Sequence, residues 1–293
     1  MLALHHITRR FGAAVAVDDV SFTITPGAMT GFVGANGAGK TTTMRMIMGV
    51  LEPSAGGLTW YGRPLTRADA EDFGYMPEER GLYPKQRILD QLIYLGEIQK
   101  MTRGDARRAA IDHLDRFGLA GRMHDHLEAL SLGNQQRVQI IAAVMSAPTA
   151  LILDEPFSGL DPGAVDAMSE VLRTHTERGI PVLFSSHQLD LVDRLCDSLL
   201  ILSHGRLVAS GSEDQLRAGA PHRYRIRVSG DAGWVRDVPG IACLDVDGTT
   251  ALVDITTPGA ELTLPRAALD RGDLYEFARV VPSLSEIYRE VTA

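Results

Sequence analysis

One run of residues limits what this chain can fold into. Residues 31–43 read Gly-Phe-Val-Gly-Ala-Asn-Gly-Ala-Gly-Lys-Thr-Thr-Thr, and within them Gly34, Gly39, Lys40 and Thr41 fit the pattern G-x-x-x-x-G-K-[ST]. Glycines let a backbone curl so that successive N–H groups point inward at an anion. The lysine adds a point charge for β- and γ-phosphates, and the hydroxyl after it can ligate Mg²⁺. The context suits this chemistry: 29–33 reads as a buried strand, and 41–48 as a helix ended by Gly49. That order sets a phosphate at a helix N-terminus, where unpaired N–H groups and the helix dipole favour it. Gly34, Asn36, Gly37, Gly39, Lys40, Thr41 and Thr42 are therefore the candidate nucleotide contacts.

A chain of 293 residues has room for one large domain or two. Its net charge of −8 points away from nucleic acid, whose partners normally carry a basic surface. No apolar run approaches the length of a membrane span; the best candidate, 138–153, contains Gln139 and is broken by Pro148. The N-terminus lacks the charged-then-apolar pattern of a secretion signal. Cys196 and Cys243 are too few for a disulfide framework and read as ordinary core residues. The expectation is a cytosolic chain that reaches a membrane only through a partner.

Residues 2–8 and 20–25 read as strands, with Phe11 in the loop between them. Phe11 has two readings, a platform for a nucleotide base or a buried loop anchor. Short strands follow at 57–61 and 73–76, the second ending at Pro77-Glu78-Glu79. The pattern then turns helical over 88–100, over a segment capped by Thr102 and running to Phe117, and over 131–145. A helical block of about 81–147 is thus inserted into an α/β core. The third helix begins at Leu130-Ser131-Leu132-Gly133-Asn134-Gln135-Gln136-Arg137, with Ser131 as N-cap. Gly133 costs helix propensity, which makes sense if something approaches the backbone closely; the alternative is a tolerated surface glycine.

Leu151-Ile152-Leu153-Asp154-Glu155 describes a central parallel strand delivering two acids at its C-terminal end, where α/β sites lie. In a P-loop protein the first acid holds Mg²⁺, and the second is suited to take a proton from an attacking water. Two solvated carboxylates at a strand end are the plain alternative. Asp161-Pro162 opens another helix, and His187 follows a strand at 182–185, as a structural histidine or as a contact to a γ-phosphate.

These pieces, in this order, resemble the ATP-binding subunit of an ABC transporter over about residues 2–218. The resemblance implies an α/β P-loop NTPase core of 1–219 with its helical subdomain. It implies that Phe11 stacks on adenine, that Lys40 and Thr41 hold phosphate and Mg²⁺, and that Asp154 and Glu78 complete the metal shell. Glu155 is then the general base and His187 the γ-phosphate sensor, while Ser131 and Gly133 bind the ATP of a second subunit. ATP and Mg²⁺ are the implied cofactors. An integral membrane permease and a homodimer of ATP-binding subunits are the implied partners, with the chain on the inner face of the cell membrane. Two motifs depart from the family pattern: Glu78 stands where Gln is usual, and Ser-Leu-Gly-Asn-Gln replaces Ser-Gly-Gly-Gln-Gln. Both resemble the branch that exports ions, antibiotics or other drugs. Spacing points to the dimer too. A helix over 131–145 is about 22 Å long at about 1.5 Å per residue, and it is expected to hold Ser131 away from the chain's own nucleotide. The competing readings are a soluble ABC protein acting on ribosomes or DNA, and a nucleotide-binding regulator without turnover.

Residues 220–293 read as a small α+β domain. Gly219-Ala220-Pro221 looks like a linker, and arginines at 223, 225 and 227 alternate with Tyr224, Ile226 and Val228 on a strand. That row is a solvated face or an anion site. A hairpin at Asp247-Gly248 and a helix capped by Ser283 follow.

Overall fold

The computed structural model describes residues 1–79, 81–218, 222–280 and 283–292. Contacts divide the chain into two units, Met1–Glu213 and Asp214–Val291.

The first unit opens with β1 (Leu2–Phe11) and β2 (Ala14–Ile24), an antiparallel pair. Phe11 closes β1 against Ala14 and so lies on a strand, not in the expected loop. Both strands run longer than their apolar alternation suggests. Register shifts between Leu4 and Arg10 break the period of two, and His6 and Asp19 take positive φ values of 51° and 55°. Next come β3 (Met29–Val33), α1 (Lys40–Ile47), β4 (Ala55–Trp60), β5 (Arg63–Pro64), α2 (Arg67–Glu71) and β6 (Gly74–Met76). β4 begins two residues earlier than expected because Gly56, at φ 81°, seats against the carbonyls of His5 and His6.

Three helices follow: α3 (Ile88–Ile98), α4 (Arg103–Arg116) and α5 (Leu132–Val144). The Asp105 N–H donates to the Thr102 hydroxyl at 3.2 Å, which caps α4. Ile88, Leu89, Leu92 and Ile93 on α3, with Ala106, Ala110 and Leu114 on α4, are buried where these helices meet each other and α5. The chain then completes its core with β7 (Leu151–Leu153), α6 (Pro162–Glu177), β8 (Val182–Ser186), α7 (Leu189–Leu195), β9 (Ser198–Ser203) and β10 (Arg206–Gly211), and α8 (Glu213–Ala218) begins at the boundary of the two units.

One sheet runs β2-β1-β4-β5 and a second β10-β9-β3-β8-β7-β6. In the second sheet β9, β3, β8, β7 and β6 are parallel, and only the edge strand β10 is antiparallel. β3, β7 and β8 are buried throughout, as parallel strands covered on both faces must be. Their register aligns the strand ends. Val33 lies opposite Ser186, Phe184 opposite Leu153, and Leu153 opposite Met76. The residues after these strand ends, Gly34, Glu78, Asp154 and His187, therefore leave the sheet along one edge.

In the second unit β11 (His222–Val228), β12 (Ile241–Asp247), β13 (Thr250–Ile255) and β14 (Leu274–Val280) form an antiparallel sheet ordered β12-β13-β11-β14. Two helices, α9 (Ala260–Leu269) and α10 (Leu284–Thr292), accompany it. Leu264 and Ala268 of α9 pack with Ile226, Val228 and Val253 of the sheet. The arginine row is largely spent on carboxylates. Arg223 meets Asp254 and Glu290, each at 2.9 Å, and Arg227 lies 3.7 Å from Glu276. The carboxylates of Asp254 and Glu290 raise the Arg223 pKa above its ordinary value. The Gly219-Ala220-Pro221 stretch lies outside the described residues, as does Arg80.

Candidate functional site

The loop from Gly34 to Gly39 turns the end of β3 into the start of α1. Gly39 stands just before α1 at φ 106°, and a Cβ there would sit 2.6 Å from the Ala16 carbonyl oxygen, so only glycine fits. Lys40 is buried, and its Nζ donates to the carbonyls of Gly34 at 2.6 Å and Ala35 at 3.3 Å. Two of the ammonium's three donors are thereby used.

This loop forms one wall of a cleft of about 370 Å³. Asn36, Gly37, Gly39, Lys40, Thr41 and Thr42 line it from the loop, Glu78, Asp154 and Glu155 from the ends of β6 and β7, and Ala16 from β2. A second cleft, of about 520 Å³, shares Asn36, Glu78 and Glu155 with the first and adds Gln136, Ser158 and His187. Phosphate-loop, acidic and histidine residues far apart in sequence thus face connected space.

Asp154 is 1 % exposed. The Ser185 hydroxyl donates to its Oδ1 at 2.6 Å, while Oδ2 is buried without a hydrogen-bond partner. Burial, together with the charge of Asp154, raises the pKa of the Tyr75 phenol on β6. Glu155 has a positive φ of 49°, a conformation that side chains other than glycine rarely adopt. Its N–H donates to the Ser185 hydroxyl at 2.7 Å, and its Oε2 lies 3.0 Å from His187 Nδ1.

Phe11 does not line the cleft. It is 50 % exposed, and the Arg9 guanidinium covers its ring at 4.7 Å from the centroid, a cation–π contact. Ala16 is the β2 residue that reaches the cleft instead.

Ser131 and Gly133 line neither cleft. Ser131 caps α5 by accepting from the Asn134 N–H at 3.4 Å. A Cβ on Gly133 would sit 2.9 Å from the Gly159 carbonyl oxygen, so the close approach that its glycine permits is to the chain's own loop after β7. Arg137 ties α5 to the same loop, donating to Asp161 at 2.6 Å and to the Phe117 carbonyl at 3.1 Å. The Asp161 carboxyl is held below its ordinary pKa by the Ala164 N–H and by Arg137.

Ser131 stands outside both clefts, but a later residue of the same motif comes close to the acids. Gln136, within the first turns of α5, donates to the carbonyls of Glu155 and Pro156 at 3.2 Å each. The chain runs along α5 and then returns along β7, so a helix start and a strand end meet. Gln139 reaches the other acidic loop, donating to the Pro77 carbonyl at 2.8 Å. Sequence reasoning passed over Gln136, Gln139 and Ser185. Gln139 and Ser185 show only a polar residue beside apolar neighbours as a local signal, and Gln136 stands in the polar run Asn134-Gln135-Gln136-Arg137.

The model of the ABC transporter family matches residues 17–158. An uncharacterised ABC transporter ATP-binding protein of Bacillus subtilis (strain 168), YhaQ, is 37 % identical over 99 % of this chain and 98 % of its own length. The linearmycin resistance ATP-binding protein LnrL of the same organism is 33 % identical over 78 % of this chain and 76 % of its own. A solved ATP-binding subunit of an ABC transporter matches with a TM-score of 0.69 at 32 % identity, covering 75 % of this chain and 95 % of that one. With that identity sustained over nearly the whole of YhaQ, the chain belongs to the family of ABC transporter ATP-binding proteins.

Proposed function

We propose that the chain binds ATP with Mg²⁺, hydrolyses it, and powers export through an integral membrane permease as part of a homodimer closed by nucleotide. The observation that carries this reading is the Glu155–His187 contact of 3.0 Å, set beside a cleft walled by Lys40 and Thr41.

In this reading the N–H groups of 34–42 cradle the phosphates and Lys40 neutralises them. The residues fit a magnesium ion. Asp154 Oδ2 is a buried oxygen with no partner, and Thr41 and Glu78 add oxygen donors in the same cleft. Among the described residues no group of three or more His, Cys, Asp or Glu could hold a metal. Mg²⁺ takes one or two carboxylates and fills its shell with phosphate oxygens and water. Held by these residues, a magnesium ion would supply positive charge against the transferring phosphoryl group. The Glu155 carboxylate accepts the proton of the attacking water. His187 orients it: an ionised carboxylate only accepts, so the shared proton is on Nδ1.

The homodimer is supported by Ser131 and Gly133 lying outside both clefts beside Leu132, which is 62 % exposed. Export is supported by Glu78 and the Leu132 and Asn134 departures, and by relatives whose names include linearmycin resistance and Nod factor export. Another relative is a sulfate/thiosulfate import ATP-binding protein, so family membership alone does not set direction. Among the described residues no helix is long and apolar enough to cross a membrane. In this reading the permease therefore holds the chain at the inner face of the cell membrane.

The test is phosphate release from ATP by the purified chain, with and without Mg²⁺, and substrate efflux from vesicles holding the chain and its permease. Mg²⁺-dependent release and ATP-dependent efflux are expected; neither arising in the reconstituted complex overturns the reading.

A further inference from the structure

β8 reads Val182-Leu183-Phe184-Ser185-Ser186, and Ser185 is a fully buried hydroxyl after three apolar residues. Its two hydrogen bonds both go to the acidic pair at the end of β7. It donates to Asp154 Oδ1 at 2.6 Å and accepts the Glu155 N–H at 2.7 Å. Neither bond is local in sequence, and both exist because β7 and β8 pair in parallel register, Leu153 opposite Phe184. Resting on the reading of the cleft as an Mg²⁺-ATP site, we propose that Ser185 is the positioning residue that sets the metal-facing oxygen of Asp154 and the backbone of Glu155 together.

The two bonds have separate consequences. A carboxylate with neither oxygen held can turn about its Cβ–Cγ bond and present either one. The Ser185 O–H holds Oδ1, so the oxygen left without a partner is always Oδ2. The other bond acts on conformation. Glu155 sits at φ 49°, and such backbone persists only where its surroundings over-determine it. The N–H bond to Ser185 restrains the Asp154–Glu155 peptide, and that peptide directs the Glu155 side chain to His187. Ser185 and His187 are two residues apart at the end of β8, so one strand addresses both ends of the acidic pair.

A buried serine that only fills space predicts something different. Its replacement by alanine would lower the melting temperature and leave metal affinity alone. A positioning role predicts a change in metal affinity of about 10–100-fold, the usual worth of a group that orients a metal ligand.

The experiment uses the full chain with a non-hydrolysable ATP analogue and Mn²⁺ as probe, reading free Mn²⁺ by electron paramagnetic resonance. Ser185→Ala is expected to weaken Mn²⁺ binding about 10–100-fold, while nucleotide binding without metal stays near wild type. Ser185→Thr keeps the hydroxyl and is expected to restore most of the affinity; if its melting shows misfolding, Ser185→Cys replaces it as the weaker donor of similar size. In hydrolysis assays Ser185→Ala should lower kcat and raise the Mg²⁺ concentration for half-activation, with KM for ATP little changed. A folded Ser185→Ala chain with wild-type Mn²⁺ affinity overturns the assignment. A wild-type chain that binds Mn²⁺ with nucleotide but never hydrolyses ATP counts against the proposed function, while the Mn²⁺ comparison still decides Ser185. A wild-type chain that binds no Mn²⁺ with nucleotide overturns both.

Discussion

Glu155 Oε2 lies 3.0 Å from His187 Nδ1, although the two residues leave the sheet from different strands. If Glu155 is the general base and His187 its orienting partner, Glu155→Gln should keep ATP affinity and lower turnover by about 10²–10⁴-fold. Lys40→Ala should instead lose the nucleotide, because its ammonium is the cleft's buried cation. Single-turnover hydrolysis and equilibrium binding of a fluorescent ATP analogue separate the two. Near-normal hydrolysis by Glu155→Gln with the permease present would show that another group takes the proton.

The same variant tests association. A chain that binds ATP and cannot hydrolyse it should accumulate as the closed dimer, so Glu155→Gln with ATP and Mg²⁺ should sediment at twice the monomer mass. Wild type without nucleotide should be monomeric or weakly dimeric. Sedimentation velocity showing the variant monomeric at saturating nucleotide would count against a nucleotide-closed dimer.

Gly133→Ala places a methyl 2.9 Å from the Gly159 carbonyl oxygen, too close for backbone to accept without moving. Overpacking of this kind costs about 1–3 kcal/mol. Thermal or urea melting should show that loss. An unchanged melting curve would mean that the loop after β7 gives way freely.

The loop after β6 leads from Glu78, in the cleft, toward α3. Tyr83 on this loop is 51 % exposed, so it is not a core aromatic, and its N–H is held by the buried Gln91 side chain at 3.2 Å. Glu78→Ala should weaken Mg²⁺-dependent hydrolysis by the chain alone. If the proposed permease docks on this loop, Tyr83→Asp should spare that basal rate and abolish stimulation and transport by the permease, since a charge docked in an apolar contact lacks a counter-ion. Copurification and stimulated ATPase measure this; normal values for Tyr83→Asp would remove the loop from the docking surface.

His113 on α4 has a pKa lowered from 6.5 to about 4, chiefly by burial, with the charges of Arg116 and His175 adding and Asp112 opposing. Its Nδ1 is buried without a partner. The unfolded chain takes this proton near pH 6.5 and the folded chain only near pH 4, so between them the unfolded state binds more protons. Stability therefore falls as pH drops through that window, with a slope approaching about 1.4 kcal/mol per pH unit. His113→Gln should flatten this part of the stability–pH curve measured by urea unfolding. An unchanged slope would place the acid sensitivity elsewhere.

The local sequence determined the parts whose physics is local. Gly34, Gly39, Lys40 and Thr41 specify a strand–loop–helix because glycine conformations and the helix start lie within one short stretch. Leu151-Ile152-Leu153 before Asp154-Glu155 announces a buried strand with acids at its end, since a run apolar on both faces belongs inside a parallel sheet. The β1–β2 hairpin was less legible: positive-φ bulges at His6 and Asp19 break the alternation from which strand length is read, so Phe11 looked like loop. What only the tertiary structure decided is which of these pieces touch. Gln136 meets the Glu155 carbonyl because the chain reverses between α5 and β7, a turn that helix length alone cannot show. Ser185 meets Asp154, 31 residues away, because their two strands pair in one register, and Gly133 is glycine because a loop from beyond β7 packs against it. Strand pairing and helix–loop packing are set by burial summed over the whole core, and no short stretch of sequence carries that sum.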